Sequence, residues 1–471
     1  MSEQTADAVR PIIIRPRERE AILQSLRAGV VPSVGLQHIQ VGRKREVMAI
    51  LDDLEKIEQG ASAIRFVIGR YGSGKSFFLH LTRSVALERK FVVLQADITT
   101  ERRLHSTGGH ARALYAELMR SAAIRTRPDG NALSNVVERW VAQVQDELDR
   151  SGRPAKLEDE IHARLRPLEE FVSGYDFARV VTRYVRGYRA DDREQMDGAL
   201  RWMRAEFTTK TEANQAVGVH NIIDDRGFYD YLKLFASFVR LAGYAGLLVN
   251  LDEMGVLSHR LNHALARNAN YEALLHILND CTQGNVCGIG FLFSGTAEFL
   301  EDRRRGLYSY PALATRLAPN QFTATGLADF SGPVLRLTSL SPEEVAVLLM
   351  NIRHVFAGGD PDRYLVPNEA ITAFVAHCAN RLGAEYYSTP RDIAKPFVEF
   401  LSVLSQNPEV TWQSLLPEVT VERLPQDDGV TPGSEGTGAV ASVTGSGDED
   451  DDLATFTLTR VGSADGSPAP L

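Results

Sequence analysis

Five short apolar runs recur along the chain, separated by longer segments in which apolar residues are spaced as on a helix. The runs are rich in Ile, Val, Leu and Phe and have the length of strands that are buried on both faces. They cover residues 64–68, 91–97, 247–253, 288–294 and 333–337. Because helical segments precede or follow each run, the pattern predicts an α/β fold with a five-stranded parallel sheet covered by helices on both faces.

Strand signals stop between residues 126 and 226, where charged residues and helix formers dominate. Apolar residues such as Val137, Trp140 and Val144 recur there at a spacing of about 3.6 positions. This spacing predicts a helical insertion that is far longer than an ordinary connection. Three later helical segments predict a small C-terminal lid. The predicted units are an N-terminal segment at 1–40, two parts of the core at 41–125 and 227–337, the insertion at 126–226, the lid at 338–424 and a tail at 425–471.

The formal net charge of −9 is concentrated in the tail. From Gln426 onward nine acidic residues accompany one basic residue, Arg460, so the tail carries −8 and the rest of the chain −1. A nearly neutral body neither favours nucleic-acid binding as a whole nor excludes a local basic patch, which leaves DNA as an open partner. The tail is rich in Gly, Ser, Thr and Asp and is poor in apolar residues, which predicts disorder.

The number and spacing of the cysteines indicate the redox state of the compartment in which the protein folds. Cys281, Cys287 and Cys378 are too few and too unevenly spaced for a zinc site or a disulfide framework. They suit small core positions in a reducing compartment. The sequence shows neither the pattern of a signal peptide nor a run long enough to span a bilayer. We therefore expect a cytoplasmic protein without a membrane partner.

The first apolar run leads directly into the pattern G-x-x-x-x-G-K-S at residues 69–76. Glycines let the backbone curl so that its N–H groups point at a phosphate, and the following helix adds the positive end of its dipole. Lys75 can reach the β- and γ-phosphates, and the Ser76 hydroxyl can ligate Mg²⁺. The pattern predicts a P-loop that binds ATP and Mg²⁺. Its predicted nucleotide-binding residues are Gly69, Arg70, Tyr71, Gly72, Ser73, Gly74, Lys75, Ser76 and Phe77.

Asp252 and Glu253 end the third apolar run, at the carboxyl edge of the predicted sheet, where ligands bind in such folds. An aspartate there can hold Mg²⁺ opposite Ser76, and the adjacent glutamate can orient and deprotonate the water that attacks the γ-phosphate. An acidic pair at a strand end can also be a helix N-cap with one additional acid. In combination with the P-loop, the pair predicts metal binding by Asp252 and general-base catalysis by Glu253.

Candidates for contacts to the γ-phosphate follow the fourth run and open the last lid helix. A hydroxyl at Ser294 or Thr296 can contact the γ-phosphate or the attacking water, although either can equally be a turn residue, and Ser294 is slightly favoured. Arg391 follows Pro390 at the start of a lid helix, so its guanidinium can fold back onto the phosphates. We expect Ser294 to be catalytic and Arg391 to bind nucleotide.

Several arginines lie beyond the fourth run, where enzymes of this kind often place one that reaches the nucleotide of a neighbouring subunit. Arg316 is the first candidate for this role, and a surface charge is the equally weighted alternative. The other candidates are Arg303, Arg304 and Arg305.

With these motifs the chain resembles AAA+ ATPases of the ASCE group of P-loop NTPases, and within them the branch of the origin-recognition and Cdc6 proteins. Residues 69–76 match Walker A and residues 247–253 match Walker B. The resemblance assigns Ser294 to sensor 1, Arg316 to the arginine finger and Arg391 to sensor 2. It also implies ATP hydrolysis in a homo-oligomer. By the same resemblance, Val41, Gly42, Arg43 and Glu46 are similar to the adenine-side motif, which places Gly42 and Arg43 at the nucleotide.

Three other stretches resemble the BrxD family of ATP-binding proteins from BREX phage-defence systems. They lie within residues 26–36, 69–77 and 295–313, and the resemblance covers about residues 10–420. Arg70 departs from the smaller or acidic residue expected between the P-loop glycines, which leaves the phosphate environment open. No winged-helix DNA-binding domain is signalled after the lid, so the origin proteins do not imply DNA binding here.

The sequence thus predicts a Mg²⁺-dependent ATPase that couples hydrolysis to conformational change in a bacterial defence assembly. Other proteins of a defence operon, such as a helicase or a nuclease, are the expected partners. The alternative is a nucleotide-gated scaffold that turns over very slowly and recruits such a partner. Glu253 favours the enzyme, whereas the nearly neutral body and the acidic tail suit the scaffold.

Overall fold

A computed structural model describes residues 14–151, 157–322, 329–382 and 389–420. The tail predicted at residues 425–471 lies outside the described residues. The fold given below is therefore that of the N-terminal segment from Ile14, the predicted core with its insertion, and most of the predicted lid.

The central element is a sheet of five parallel strands, as the apolar runs predict. They are β1 (Ser62–Gly69), β2 (Val92–Asp97), β3 (Leu247–Asp252), β4 (Ile289–Gly295) and β5 (Val334–Leu337). The strands lie side by side in the order β2-β3-β4-β1-β5, and each neighbouring pair is parallel. The predicted α/β fold class is confirmed. β1 lies in the interior of the sheet, so the loop that follows it is placed among the carboxyl ends of its neighbours.

Helices surround this sheet. In chain order the first nine are α1 (Pro16–Arg27), α2 (Lys44–Glu58), α3 (Lys75–Glu88), α4 (His110–Arg120), α5 (Leu133–Ser151), α6 (Leu157–Leu165), α7 (Gly174–Ala190), α8 (Arg193–Met203) and α9 (Lys210–Val217). The remainder of the described chain adds α10 (Phe228–Leu241), α11 (Val256–His259), α12 (Ala264–Gln283), α13 (Ala297–Glu301), α14 (Pro311–Arg316), α15 (Pro342–Phe356), α16 (Asn368–Leu382), α17 (Pro390–Gln406) and α18 (Trp412–Leu415).

Alternate residues of the strands face two different cores. On one face, Val67, Leu248 and Leu292 pack with apolar residues of α2 and α3. On the other face, residues such as Phe66 and Phe291 pack with α4, α10 and α12. Burial on both faces explains why the strands read as continuous apolar runs in the sequence.

The helices between residues 126 and 226 extend the second of these cores. Trp140 of α5, Tyr184 of α7 and Trp202 of α8 are fully buried and belong to the same apolar cluster as Phe66 and Phe291 of the sheet. The indole of Trp140 and the ring of Phe238 of α10 lie 5.3 Å apart. Their packing continues the apolar layer of the sheet, so these helices do not form a separate core.

The N-terminal helix α1 packs on the C-terminal helices. Ile22 and Leu23 are buried in an apolar cluster with residues of α15, α16 and α17. Arg19 adds a hydrogen bond from Nη2 to the carbonyl of Phe356 at 2.7 Å. The two ends of the described chain therefore share one core, which the sequence pattern did not predict.

A buried ion pair ties β1 to the helix that covers it. Arg65 Nη2 donates to Asp53 Oδ1 of α2 at 3.0 Å, and its Nη1 donates to the carbonyl of Phe330, just before β5, at 2.7 Å. Arg65 and Asp53 are 4% and 6% exposed. The pair therefore has no ready access to water and must be satisfied within the protein.

The structure bears on two predictions from the sequence, one about the cysteines and one about membrane-spanning segments. Cys281 and Cys378 are buried, but Cys287 is exposed, so the expectation that all three are core residues is wrong for Cys287. Cys287 lies in the short turn between α12 and β4, where the chain runs over the surface. Within the described ranges, no helix is both long enough and apolar enough to cross a membrane.

Candidate nucleotide-binding site

A cavity of about 530 Å³ opens at the carboxyl ends of the strands. Its floor is the loop between β1 and α3, and its walls come from the ends of β3 and β4, the segment after α1 and the start of α17. A polar site at this edge is the usual ligand position in open α/β sheets. The structure therefore brings most of the predicted site residues to one cavity.

The loop after β1 is shaped by its glycines. Gly72 has φ +73° and Gly74, which precedes α3, has φ +90°, values that other residues rarely adopt. Space is also limited at Gly72, because a Cβ atom there would lie 2.5 Å from Thr389 Oγ1. The glycines thus allow both the curl of the backbone and the close approach of the lid.

Lys75 begins α3 and folds back over the loop. Its Nζ donates to the carbonyls of Gly69 and Arg70 at 3.1 and 2.9 Å. Burial lowers the pKa of Lys75, and the carboxylates of Asp252 and Glu253 partly offset this effect. The ammonium group is thus held inside the curl of the loop, where a phosphate group would meet it.

The cavity does not include every predicted residue of the loop. Tyr71, Gly72, Ser73, Gly74, Lys75, Ser76 and Phe77 line it. Gly69 and Arg70 do not, although both carbonyls bind Lys75. Arg70 is exposed, so this unexpected residue projects away from the cavity.

The start of α3 and the end of β3 meet at the predicted metal site. Ser76 Oγ donates to Asp252 Oδ2 at 2.8 Å, across 176 residues of sequence. Both groups are oxygen donors, which suits Mg²⁺. In the described part of the chain, no group of three or more His, Cys, Asp or Glu side chains could hold a metal. An Mg²⁺ ion would thus need further ligands from phosphate groups and water.

Glu253 leaves the strand in an unusual conformation. Its φ is +57°, and its N–H donates to Asp252 Oδ1 at 2.8 Å. A non-glycine residue in this region is uncommon and is often found at functional sites. The side chain of Glu253 is accessible to solvent, but it lies in the cleft. Desolvation there raises the pKa of Glu253, and the charge of Asp252 raises it further.

Asp97 is a site residue that the motif analysis did not select. It ends β2, is paired in register with Asp252 and lines the same cavity. Desolvation raises the pKa of Asp97, and the nearby charge of Asp252 raises it further. Its position at the carboxyl end of the second apolar run was the available signal, because adjacent parallel strands end at the same edge.

The two hydroxyl candidates after the fourth run have different surroundings. Thr296 is the N-cap of α13, and its Oγ1 accepts from the N–H of Phe299 at 3.3 Å. Ser294 is fully buried, and its Oγ has no hydrogen-bond partner among the described residues. Both residues line the cavity. The hydroxyl of Thr296 is already used by the fold, which favours Ser294 for a contact with phosphate or water.

Arg43 connects three parts of the structure. Its Nη2 donates to the carbonyl of Ser73 at 3.1 Å and also to the carbonyl of Thr338, and its Nη1 lies 3.6 Å from Glu46. Burial lowers the pKa of Arg43. Arg43 lines the cavity, whereas Gly42 does not. Gly42 instead leaves room for the lid, since a Cβ atom there would lie 2.4 Å from a Glu344 carboxylate oxygen.

Arg391 lies at the start of the lid helix α17 and faces the P-loop. Its Nη1 donates to the hydroxyl of Tyr71 at 2.9 Å, and its guanidinium carbon lies 5.8 Å from the centre of that ring. On its other side, a Cβ atom on Gly29 would lie 3.2 Å from Arg391 Nε. Arg391 thus lines the cavity between the P-loop and the segment after α1.

The arginine candidates after β4 lie elsewhere. Arg316 Nε donates to Asn279 Oδ1 at 2.7 Å, and its Nη1 donates to the carbonyl of Ala312 at 3.0 Å. Arg316 is exposed and does not line the cavity, and the same holds for Arg303, Arg304 and Arg305. The structure thus places none of these four arginines at the cavity of its own chain.

The segment after α1 supplies a wall that the motif analysis also missed. Gly29, Val30, Val31 and Pro32 line the cavity, and Val30 is 55% exposed. These small and apolar residues carry no chemistry of their own, so only the family resemblance of residues 26–36 singled them out. An apolar wall of this kind suits the flat face of a nucleotide base.

Taken together, the parallel sheet, the glycine-rich loop leading into α3 and the acidic end of β3 define a P-loop NTPase. A family model described as BREX system ATP-binding protein BrxC/D matches residues 14–420. The chain belongs to this family of BREX ATP-binding proteins. A comparison with curated proteins gave no significant match. The resemblance to the origin-recognition and Cdc6 branch stays a prediction.

Proposed function

We propose that the protein is a Mg²⁺-dependent ATPase that couples hydrolysis to a conformational change in a BREX defence assembly. The observation that carries the proposal is the contact between Ser76 Oγ and Asp252 Oδ2 at 2.8 Å, with Glu253 next in the chain. These residues come from the P-loop and from β3, and together they provide a metal site beside a carboxylate base.

The residues of the cavity have separate tasks in this proposal. Backbone N–H groups of residues 72–75 and the Lys75 ammonium bind the phosphates. Ser76 and Asp252 would hold Mg²⁺, which would supply positive charge for the bound phosphates. Glu253 takes a proton from the attacking water, and the Ser294 hydroxyl orients that water or the γ-phosphate.

The raised pKa of Glu253 suits its proposed role. A general base works best when its pKa is close to the pH of the reaction, because it must be deprotonated and yet accept a proton. Desolvation in the cleft moves the pKa of Glu253 in this direction, with the charge of Asp252 adding to it. The positive charge of Lys75 acts in the opposite direction and lowers the pKa of Glu253.

The conformational part of the proposal rests on the lid. Arg391 and the N-cap Thr389 of α17 approach the P-loop, while α17 shares its core with α1. Nucleotide bound in the cavity would contact both the sheet domain and this shared unit. If Arg391 reaches the γ-phosphate of bound ATP, a change to ADP would remove that contact, so the lid and α1 would move together.

The proposal also covers the assembly of the protein and its partners. Because Arg316 and its neighbours lie outside the cavity of their own chain, we propose that one of them completes the site of an adjacent subunit in a homo-oligomer. Such an arginine would make hydrolysis depend on assembly. A helicase or nuclease of the defence system would then respond to the conformational change.

A steady-state ATPase assay with and without DNA tests this proposal against a slowly turning scaffold. Lys75→Ala should abolish ATP binding, whereas Glu253→Gln should keep binding and lose turnover. Glu272→Gln is the matched control, since this exposed acid of α12 neither lines the cavity nor acts on the charge of Lys75, and its loss should leave the rate unchanged. ATP binding without hydrolysis in the parent protein, with any partner or DNA, would support the scaffold instead. Unchanged ATP affinity in Lys75→Ala would refute the P-loop assignment.

A further inference from the structure

Three polar side chains lie under the P-loop helix on neighbouring strands, where apolar residues would be expected. They are Gln95 of β2, Asn250 of β3 and Ser294 of β4. Asn250 and Ser294 are fully buried, and Gln95 is partly buried beside the cavity. Four of their polar atoms find no hydrogen-bond partner among the described residues: Gln95 Oε1, Asn250 Oδ1, Asn250 Nδ2 and Ser294 Oγ.

The three side chains share one face of the sheet. Leu248 and Leu292 belong to the core beneath α3, and successive residues of a strand alternate between faces, so Asn250 and Ser294 point to the same side as these leucines. Gln95 and Asn250 are register partners, as are Asn250 and Leu292. Ser294 follows Leu292 by two residues, which places it diagonally across from Asn250.

This spacing leaves room between the polar groups. Neighbouring strands lie about 4.8 Å apart and two residues of a strand rise about 6.6 Å, so the Cβ atoms of Asn250 and Ser294 are about 8 Å apart. An asparagine side chain does not span the diagonal by itself, whereas one water molecule between the amide and the hydroxyl does. A buried water needs two to four polar partners, and the row offers four unbonded atoms.

The choice of residue is also informative. β3 is otherwise apolar up to Asp252, with Leu247, Leu248, Val249 and Leu251 all buried. An amide without partners in such a strand is costly, whereas a leucine of similar size would pack there at no such cost. Buried polar groups without protein partners usually bind ordered water or serve the site.

We propose that Gln95, Asn250 and Ser294 bind ordered water beneath α3, and that Asn250 is a positioning residue acting through this water on the Ser294 hydroxyl. Ser294 lines the cavity. On the side away from the cavity, a hydrogen bond from the water, which Asn250 holds, would orient the Ser294 hydroxyl. The inference rests on the proposed ATPase function for its effect on turnover, although the water site itself does not.

Asn250→Leu tests the proposal, because it keeps the size of the side chain and removes both amide atoms. We expect the affinity for ATP to change less than threefold, kcat to fall at least tenfold and the melting temperature to stay equal or rise. Ser294→Ala should lower kcat to a similar degree. The double variant should be no slower than the slower single variant, since both changes break the same link. Leu292→Met is the matched control on the neighbouring strand and should keep the parent kcat.

A second readout does not depend on hydrolysis. The free energies of unfolding of the parent, both single variants and the double variant, measured without nucleotide, should be non-additive if the two side chains share a water. A parent protein that shows this coupling but no hydrolysis would refute the proposed function and keep the water site. Unchanged kcat in Asn250→Leu, or effects on kcat and stability that combine independently, would refute the inference. If Asn250→Leu does not fold, Asn250→Val replaces it in the same measurements, with the same expected and refuting results. Valine suits a strand and also lacks the amide.

Discussion

The hydrogen bond between Arg391 and Tyr71 gives a quantitative test of how the lid meets the P-loop. Tyr71→Phe keeps the ring beneath the guanidinium and removes only the hydroxyl that accepts from Arg391 Nη1 at 2.9 Å. A hydrogen bond to a charged group contributes about 1.5–3 kcal/mol when it is shielded from water. Tyr71 is 46% exposed, so water competes for both partners. Only the part of this bond that is gained on ATP binding changes the affinity. We expect a gain of about 0.5–1.5 kcal/mol as the lid closes on ATP, and hence a two- to tenfold weaker affinity in Tyr71→Phe.

A double-mutant cycle separates this contact from other effects of the substitution. Titration with a fluorescent ATP analogue gives the Kd of the parent, Tyr71→Phe, Arg391→Met and the double variant. Arg391→Met alone should weaken binding, and Tyr71→Phe should then have no further effect, because the hydroxyl has lost its donor. Tyr308→Phe is a matched control, since its hydroxyl binds the carbonyl of Leu317 outside the cavity. Equal weakening by Tyr71→Phe in both backgrounds would refute the coupling.

Three other predictions address pH, stability and assembly. The negative charge of Asp97 raises the pKa of Glu253, so Asp97→Asn should lower the pKa of Glu253. The acidic limb of the pH–kcat profile should then move to lower pH, and an unmoved limb would contradict the assignment of Glu253 as the base. Arg65→Met should reduce the free energy of unfolding by about 3 kcal/mol, the lower end of the usual cost of breaking a buried ion pair. The cost is at the lower end because Lys56 still contacts Asp53. Chemical denaturation should show that adding Asp53→Leu restores much of this loss. Arg316→Ala should bind ATP but hydrolyse it slowly, and mixing it with Glu253→Gln should restore part of the rate; full activity of Arg316→Ala alone would refute a shared site.

The sheet could be predicted from sequence because each strand is buried on both faces and leads to a recognisable turn. The predicted limits of β1 to β5 agree with the structure within two residues at every end. The contact between Ser76 and Asp252 could be anticipated for the same reason, since parallel strands bring their carboxyl ends to one edge. Local pattern and topology were sufficient for these features.

Other features depend on packing between distant segments, which no local pattern encodes. The sequence of α1 does not identify α15 and α17 as the elements that cover this helix. For Asp97 the sequence offered only its position at the end of the second apolar run, and its register with Asp252 shows that it lies at the site. The sequence favours Ser294 over Thr296 only slightly, whereas the N-cap bond of Thr296 distinguishes the two hydroxyls in the structure.

The distribution of charge in the cavity indicates an order of events. Asp97, Asp252 and Glu253 lie together at the edge of the sheet, and their mutual repulsion contributes to the raised pKa of two of them. Lys75 faces this group, whereas Arg391 approaches from the lid. Without a further cation the acidic edge would repel the γ-phosphate, so we expect Mg²⁺ and ATP to bind together rather than in sequence. Removal of Mg²⁺ by chelation should then weaken ATP binding as well as stop hydrolysis. This loss should be smaller in Asp97→Asn, because that variant places less negative charge at the phosphate.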